Sequence, residues 1–205
     1  MAVKLEVPDI LAFNRWSVAE IQVEDPGLKD YISLEPRIVP KTGARYAGKR
    51  FHKSKVFIVE RFINHMMVPG HKSKKHYLSS GHLTGKGMNA YHMMLEILER
   101  IEAKTNTNPI AVLVKAIENA APREEIVTIE YGGVRYPKAV ECSPQRRVDI
   151  ALRLMVQGSY QKAFNSKKAA VACLVDEISN AYNLSNQSLA ISKKLELERQ
   201  ADSSR

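Results

Sequence analysis

The sequence predicts a mainly α protein. The expected fold is a bundle of about six helices with a protruding β-hairpin between the third and fourth, plus an irregular basic N-terminal extension. Three observations carry this. Apolar residues recur at helical spacing through most of the chain after Ser54. One β-branched stretch interrupts that pattern around a Gly-Gly pair. Residues 1–55 show no sustained periodicity and hold Pro8, Pro26-Gly27, Pro36, Pro40 and Gly43, all turn signals.

The helices follow in order. Ser54 is placed to cap a first helix running to Met67, ahead of Pro69-Gly70, with Val56, Val59, Ile63 and Met66 as its apolar stripe. A second spans about Met88–Lys104, where Ala90, Met93, Met94, Ile97, Leu98 and Ile101 keep one face apolar. Asn108-Pro109 is an N-cap followed by proline at the first helical position, opening a third helix that stops near Ala121-Pro122. Ser143-Pro144 repeats that signal for a fourth, carrying Val148, Ala151, Leu152 and Met155 and ending at Gly158. Ser166 is the expected cap of a fifth, and a charged sixth covers about Ser188–Ala201 with Ile191 and Leu195 as apolar anchors. Between the third and fourth, Ile126–Tyr131 and Val134–Val140 flank Gly132-Gly133, which predicts a β-ribbon at about 125–141. The chain thus divides into an extension and basic arm, 1–55, and a helical domain, 56–205.

Charge points to the partner. The formal net charge is +9, from 31 Lys and Arg against 22 Asp and Glu. A folded domain with so basic a balance carries the electrostatic footprint of a phosphate-backbone binder. The excess is local. Lys41, Arg45, Lys49, Arg50, Lys53 and Lys55 alternate with Tyr46, Phe51 and His52, so that cations meet phosphates and rings meet bases. The arm has few apolar anchors and is expected to be disordered away from RNA. Lys72, Lys74 and Lys75 form a second basic loop. Arg123 flanks the ribbon, which carries Arg135 and Lys138, and Arg146 and Arg147 open the fourth helix with Arg153 two turns on. Cations in a first helical turn oppose the helix dipole, a cost easier to understand beside a polyanion.

Several classes are set aside. Thr84-Gly85-Lys86-Gly87 lacks both the leading glycine and the Ser or Thr of a phosphate loop. The histidines, His65, His71, His76 and His82 among them, show no ligand spacing, and Cys142 and Cys173 form no metal pair, so neither metal nor cofactor is expected. There is no nucleophile-elbow motif, and no enzyme activity is expected. With no secretory leader and no membrane-length apolar run, the expectation is a soluble, cytoplasmic protein whose two cysteines stay reduced.

Taken together the motifs are recognisable. Gly43–Phe51, Ile58-Val59-Glu60-Arg61, Asn108–Val114, Pro122-Arg123-Glu124, Ser143–Val148 and Ala190–Arg199 stand in an order and spacing that resemble the universal small-subunit ribosomal protein S-seven family, in its archaeal and eukaryotic form. The resemblance runs from about Trp16 to the C-terminus. It implies a structural constituent of the small ribosomal subunit that binds the 3′ major domain of the rRNA, nucleates head assembly and lies by the mRNA exit and exit-site tRNA. It implies rRNA contacts through Lys41–Lys55, Lys72–Lys75, Arg123, Arg146, Arg147 and Arg153. The ribbon tip, Tyr131, Gly132, Gly133, Val134, Arg135 and Lys138, would approach mRNA and tRNA. The implied partners are rRNA, mRNA, exit-site tRNA and neighbouring head proteins, with the chain a monomer inside the ribosome and no membrane involved. The stretch Lys74–Gly87 is longer than in the bacterial form, and Ser192 stands where the family carries a cation. A helix-turn-helix DNA-binding regulator is the alternative that short basic helices suggest.

Overall fold

A computed structural model describes residues 10–45, 47–72, 75–76 and 85–205. Six helices form the body among these residues: α1 Ile58–Met66, α2 Gly87–Thr105, α3 Pro109–Ala120, α4 Pro144–Ala163, α5 Ala170–Tyr182 and α6 Leu189–Asp202. Two short strands, β1 His71–Lys72 and β2 Lys75–His76, pair between α1 and α2. The longer pair, β3 Glu124–Tyr131 and β4 Val134–Glu141, is the expected ribbon between α3 and α4.

The ribbon turns where the sequence says it should. Tyr131 pairs with Val134, which leaves Gly132 and Gly133 as a two-residue loop with φ of +58° and +82°. Positive φ at both positions is what a hairpin turn matched to strand twist requires, and glycine adopts it without a Cβ clash. α3 begins as expected too: the Asn108 side chain accepts from the Ile110 amide at 3.0 Å, with Pro109 behind it.

α5 lies at the centre, packed against α2, α3 and α4. Ile97, Leu98, Ile101, Leu113, Ile117, Leu152 and Ile178 are fully buried around it. The segment before α1 enters the same core, since Ala12, Phe13, Trp16, Val18, Leu28 and Ile32 are all buried. Phe13 stands edge-on to Trp16, with ring centroids 6.0 Å apart, and meets Tyr91 of α2 at 5.2 Å. Farther on, the described residues before α1 make two short 3-10 turns, Lys29–Tyr31 and His52–Lys55, and one isolated bridge between Ser33 and Phe57.

Four local expectations are corrected. Ser54 caps nothing: it lies buried in the His52–Lys55 turn, and α1 begins at Ile58. The Ile58 amide is satisfied instead by the Ser33 carbonyl at 3.0 Å, a partner brought by the N-terminal segment. Ser166 likewise caps nothing, because α5 starts at Ala170 and the Ser166 hydroxyl accepts from the Lys168 amide in the loop. Leu195 is half exposed, and α6 is anchored by Ala190, Ile191 and Ala201. Gly158 does not end α4, which continues to Ala163.

Gly158 is present for packing. A Cβ there would sit 2.7 Å from Leu189 Cβ and 3.2 Å from Glu177 Oε1, so glycine lets α4 reach the start of α6. That junction holds a fully buried carboxylate. Glu177 accepts from Lys162 Nζ at 2.6 Å and from the Ser188 hydroxyl at 2.8 Å, and Ser188 in turn caps α6. We expect Gly158→Ala to destabilise the protein by about 1–3 kcal/mol, the usual cost of forcing a methyl group into a packed contact. Denaturant unfolding of the two proteins measures it.

Candidate nucleic-acid interface

The fourth helix organises the basic surface. Arg146, Asp149, Arg153 and Gln157 follow at helical spacing, so they share one side of α4. Asp149 joins that side to the arm and to α1. Its Oδ1 accepts from Arg61 Nη2 at 2.9 Å, and its Oδ2 pairs with Lys53. Arg61 donates again, to the Tyr31 carbonyl at 2.8 Å. Burial alone would raise the Asp149 carboxyl. The hydrogen bond from Lys53 and the charge of Arg61 outweigh it and hold the group below its ordinary value of 3.8. Gln145 Nε2 reaches the Arg50 carbonyl at 3.5 Å, so residues 50–53 lie across the start of α4.

The arm's cations then spread from this anchor. Lys41, Arg45, Lys49, Arg50 and Lys55 are exposed, and Lys53 is half-buried in its ion pair. Lys41, Arg45, His52 and Lys55 line an open groove of about 810 Å³, together with Arg37, which the sequence reading did not single out. Arg50 stacks over Phe51 with its guanidinium carbon 5.2 Å from the ring centre. Both remain exposed, cation and ring side by side, as single-stranded RNA would use them.

The arginines of α4 occupy three different situations. Arg153 is exposed and forms no ion pair among the described residues. It borders a cleft of about 400 Å³ with His65, Val68, Pro69 and Val156. Arg146 makes a two-pronged bond to Glu125 of β3, at 2.5 and 2.6 Å, yet its side chain stays 54% exposed. Arg147 is turned inward. It donates to Asp25 at 2.6 Å and to the Pro122 carbonyl at 3.1 Å, and its side chain is 11% exposed. The dipole cost read from the sequence therefore has a local remedy, because Glu125 and Asp25 both face the first turn of α4.

Arg123 and the ribbon tip lie apart from this face. Arg123 sits at the ribbon base, where its amide donates to Glu198 at 3.0 Å. Tyr131, Gly132, Gly133, Val134, Arg135 and Lys138 are all exposed along the outer ribbon, Tyr131 at 82%. Cross-strand register puts Val127, Ile129, Tyr131, Val134, Tyr136 and Lys138 on one face. Arg135 opposes Glu130 at 3.5 Å on the other, an exposed pair worth little. Lys72 and Lys75 fall in β1 and β2, and Lys74 lies outside the described residues. Tyr46, read with the arm, also lies outside them.

Sequence reasoning missed Asp149, Arg61, Asp25 and Arg37. One signal was available: Arg61 falls within Ile58–Ile63, a run that α1 buries on every side, and a cation there demands an anion. Cys142 is buried beside Glu125, and both burial and that carboxylate push its thiol up to about 11, which keeps it protonated and unreactive at neutral pH. No group of three or more metal-ligating side chains occurs among the described residues, and no helix there is long and apolar enough to cross a membrane.

Comparison with known proteins bears on this geometry. A sequence model of the family described as Ribosomal protein S7p/S5e matches residues 28–205. The chain belongs to this family. It is 52% identical over 193 residues to the small ribosomal subunit protein uS7 of Nanoarchaeum equitans, covering 94% of this chain and 98% of that one. The protein of the same name from Archaeoglobus fulgidus is 48% identical over 197 residues, 96% of each chain. That of Methanothrix thermoacetophila is 44% identical over 193 residues. In this S7p/S5e chain the arm, α1 and α4 meet at one carboxylate, and the family match spans all three.

His65 gives this face a pH dependence. Burial lowers its pKa from 6.5 to about 4, and Arg153, Arg61 and Lys53 act in the same direction against Asp149. The folded state favours the neutral ring, while the unfolded chain takes up a proton near 6.5. Stability is therefore full above about 6.5 and falls as pH drops toward about 4, by up to about 3 kcal/mol. His65→Gln is expected to flatten that part of a stability-versus-pH curve, read from denaturant midpoints between those limits.

Proposed function

We propose that this chain is a structural protein of the small ribosomal subunit, acting in the cytoplasm as a monomer within the particle. It binds the 3′ major domain of the rRNA, supports head assembly and performs no catalysis. The arm to residue 55 and the helical domain from 56 onward grip the RNA together. The ribbon tip, Tyr131–Arg135 with Lys138, is directed toward the mRNA exit and the exit-site tRNA, with other head proteins as neighbours.

One observation carries the reading. Lys53 and Asp149 hold the arm across α4, while Arg50, Lys55 and Arg153 stay exposed and form no ion pair among the described residues. Free cations on one fold are what phosphate neutralisation uses. The names of the relatives point the same way, since each is a protein of the small ribosomal subunit. Lys41, Arg45 and Lys49 extend this surface, Arg146 borders it, Lys72, Lys74 and Lys75 add the loop between α1 and α2, and Arg123 marks the ribbon base.

The geometry divides these cations by role. Arg50→Ala and Arg153→Ala are each expected to weaken rRNA binding and to lower the salt slope, log affinity against log salt, by about 0.9 per lost phosphate contact. Arg147→Ala removes the partner of Asp25 and is expected to cost about 1–3 kcal/mol of folding stability, with a smaller change in slope. Filter binding across a salt series, beside denaturant unfolding, separates the two effects. An unchanged slope in both exposed variants would clear Arg50 and Arg153 of phosphate contact. The protein is also expected to sediment with small subunits through a high-salt wash, and recovery in the free pool alone would count against the whole proposal.

A further inference from the structure

Phe51 stands exposed inside a long cationic stretch. Residues 37–55 hold seven lysines and arginines and no acid. Phe51 is 57% exposed even though the Arg50 guanidinium lies over its ring, 5.2 Å from the centre. A single exposed apolar side chain is ordinary on a protein surface. Two further features set this one apart. The first is a fixed backbone. Gln145 of α4 donates to the Arg50 carbonyl at 3.5 Å, the Phe51 carbonyl accepts from the Ser54 amide at 3.1 Å, and Lys53 pairs with Asp149. The ring is therefore presented from a held turn, and little ordering cost is left for a ligand to offset. The second is the charge around it. Lys49 and Arg50 precede the ring and Lys55 follows it, and all three are exposed with no ion pair among the described residues.

A ring in such a setting suits a flat, apolar group joined to anions on both sides. A nucleotide within a strand is that group, since its base has two π-faces and a phosphate lies on either side of it. We propose that Phe51 is a stacking subsite for one unpaired base of the bound RNA, with Lys49, Arg50 and Lys55 taking the neighbouring phosphates. Arg50 covers part of the ring and leaves the rest open for a base to cover. Bases stacked on aromatic side chains between cations are a general mode of single-strand binding, and it tolerates any base because every base has a π-face. A base inside a duplex has no free face. The subsite therefore selects for unpaired RNA and not for a sequence, and it adds to the phosphate contacts a term that salt does not screen.

Phe51 can act in this way only if the RNA-binding reading above holds, and two strands keep the ideas apart. One is a labelled, fully abasic sugar–phosphate strand. The other is the same strand with a single central adenosine. Each is titrated with the full-length chain by fluorescence anisotropy at fixed low salt. The adenosine strand is expected to bind about tenfold tighter, within the range that one stacked base contributes. Phe51→Ala should bring that ratio to about one. Phe51→Leu, which keeps an apolar side chain but no flat ring, should do nearly the same, whereas Phe51→Trp should preserve the ratio. Trp16, the single native tryptophan, is buried, so in Phe51→Trp the fluorescence of the exposed indole should be quenched by the adenosine strand and not by the abasic one. Equal affinity for the two strands in the unaltered protein would overturn the subsite and leave the RNA reading standing. Failure of both strands to bind would overturn both. A tenfold ratio that survives Phe51→Ala would place the stacking elsewhere, and one that survives Phe51→Leu would rule out stacking on the ring.

Discussion

Asp149 is the group on which this architecture turns. α1 buries Ile58 to Ile63 without a break, and that run includes Arg61 with only 5% of its side chain exposed. A guanidinium at such a site is tolerated only with an anion and further acceptors around it. Asp149 supplies the anion and the Tyr31 carbonyl the second acceptor. The same carboxylate also takes Lys53. The angle of α1, the path of the arm and the outward side of α4 are therefore set together, and the loss of one charge would loosen all three.

A similar economy governs the other acids. Asp25, Glu118, Glu125 and Glu177 each engage groups distant in sequence. Glu118 accepts from the amides of Glu24 and Asp25 at 2.7 and 3.2 Å, and Asp25 then receives Arg147. Burial raises the Asp25 carboxyl, but its bonds to Arg147 and to the Gly27 amide outweigh that and leave it lowered. Carboxylates are thus consumed inside the fold while several cations remain outside. The net charge of +9 understates how one-sided the available surface charge is.

Much of the fold was legible because its signals are local. The Asn108-Pro109 start, the Gly132-Gly133 turn and the apolar spacing of α2 each depend on residues a few positions apart. What failed depended on distant partners. Ser54 and Ser166 look like caps in isolation, yet the Ile58 amide is served by Ser33, and Ser166 bonds within its own loop. Gly158 reads as a stop only until Leu189 is seen against it. The arm shows the same limit. Its scarcity of apolar anchors is real, but Thr42, Lys53 and the Arg50 carbonyl hold it by polar contacts to Glu60, Asp149 and Gln145, which sequence spacing does not reveal. Adjacent arginines likewise cannot be told apart by position, although Arg147 faces inward and Arg146 outward.

The ribbon follows from the same division between a fixed base and a free surface. An isolated hairpin is marginal in water, so this one depends on what grips its foot. Glu125 is held by Arg146 of α4, Glu124 by Arg205 at 2.6 Å, and the Arg123 amide by Glu198 of α6. The Cys142 amide closes the base onto the Arg123 carbonyl at 2.9 Å. Beyond Ile126 and Ala139 the strands stand clear of the body. Eight residues of strand reach roughly 26 Å, so a small tilt at the clamped end becomes a large displacement of Tyr131. Arg146 belongs to both systems, gripping the ribbon with its nitrogens while its outer side lies next to the cationic face. An anion drawing Arg146 away from Glu125 would loosen the base, so whatever binds along α4 also bears on where the ribbon points.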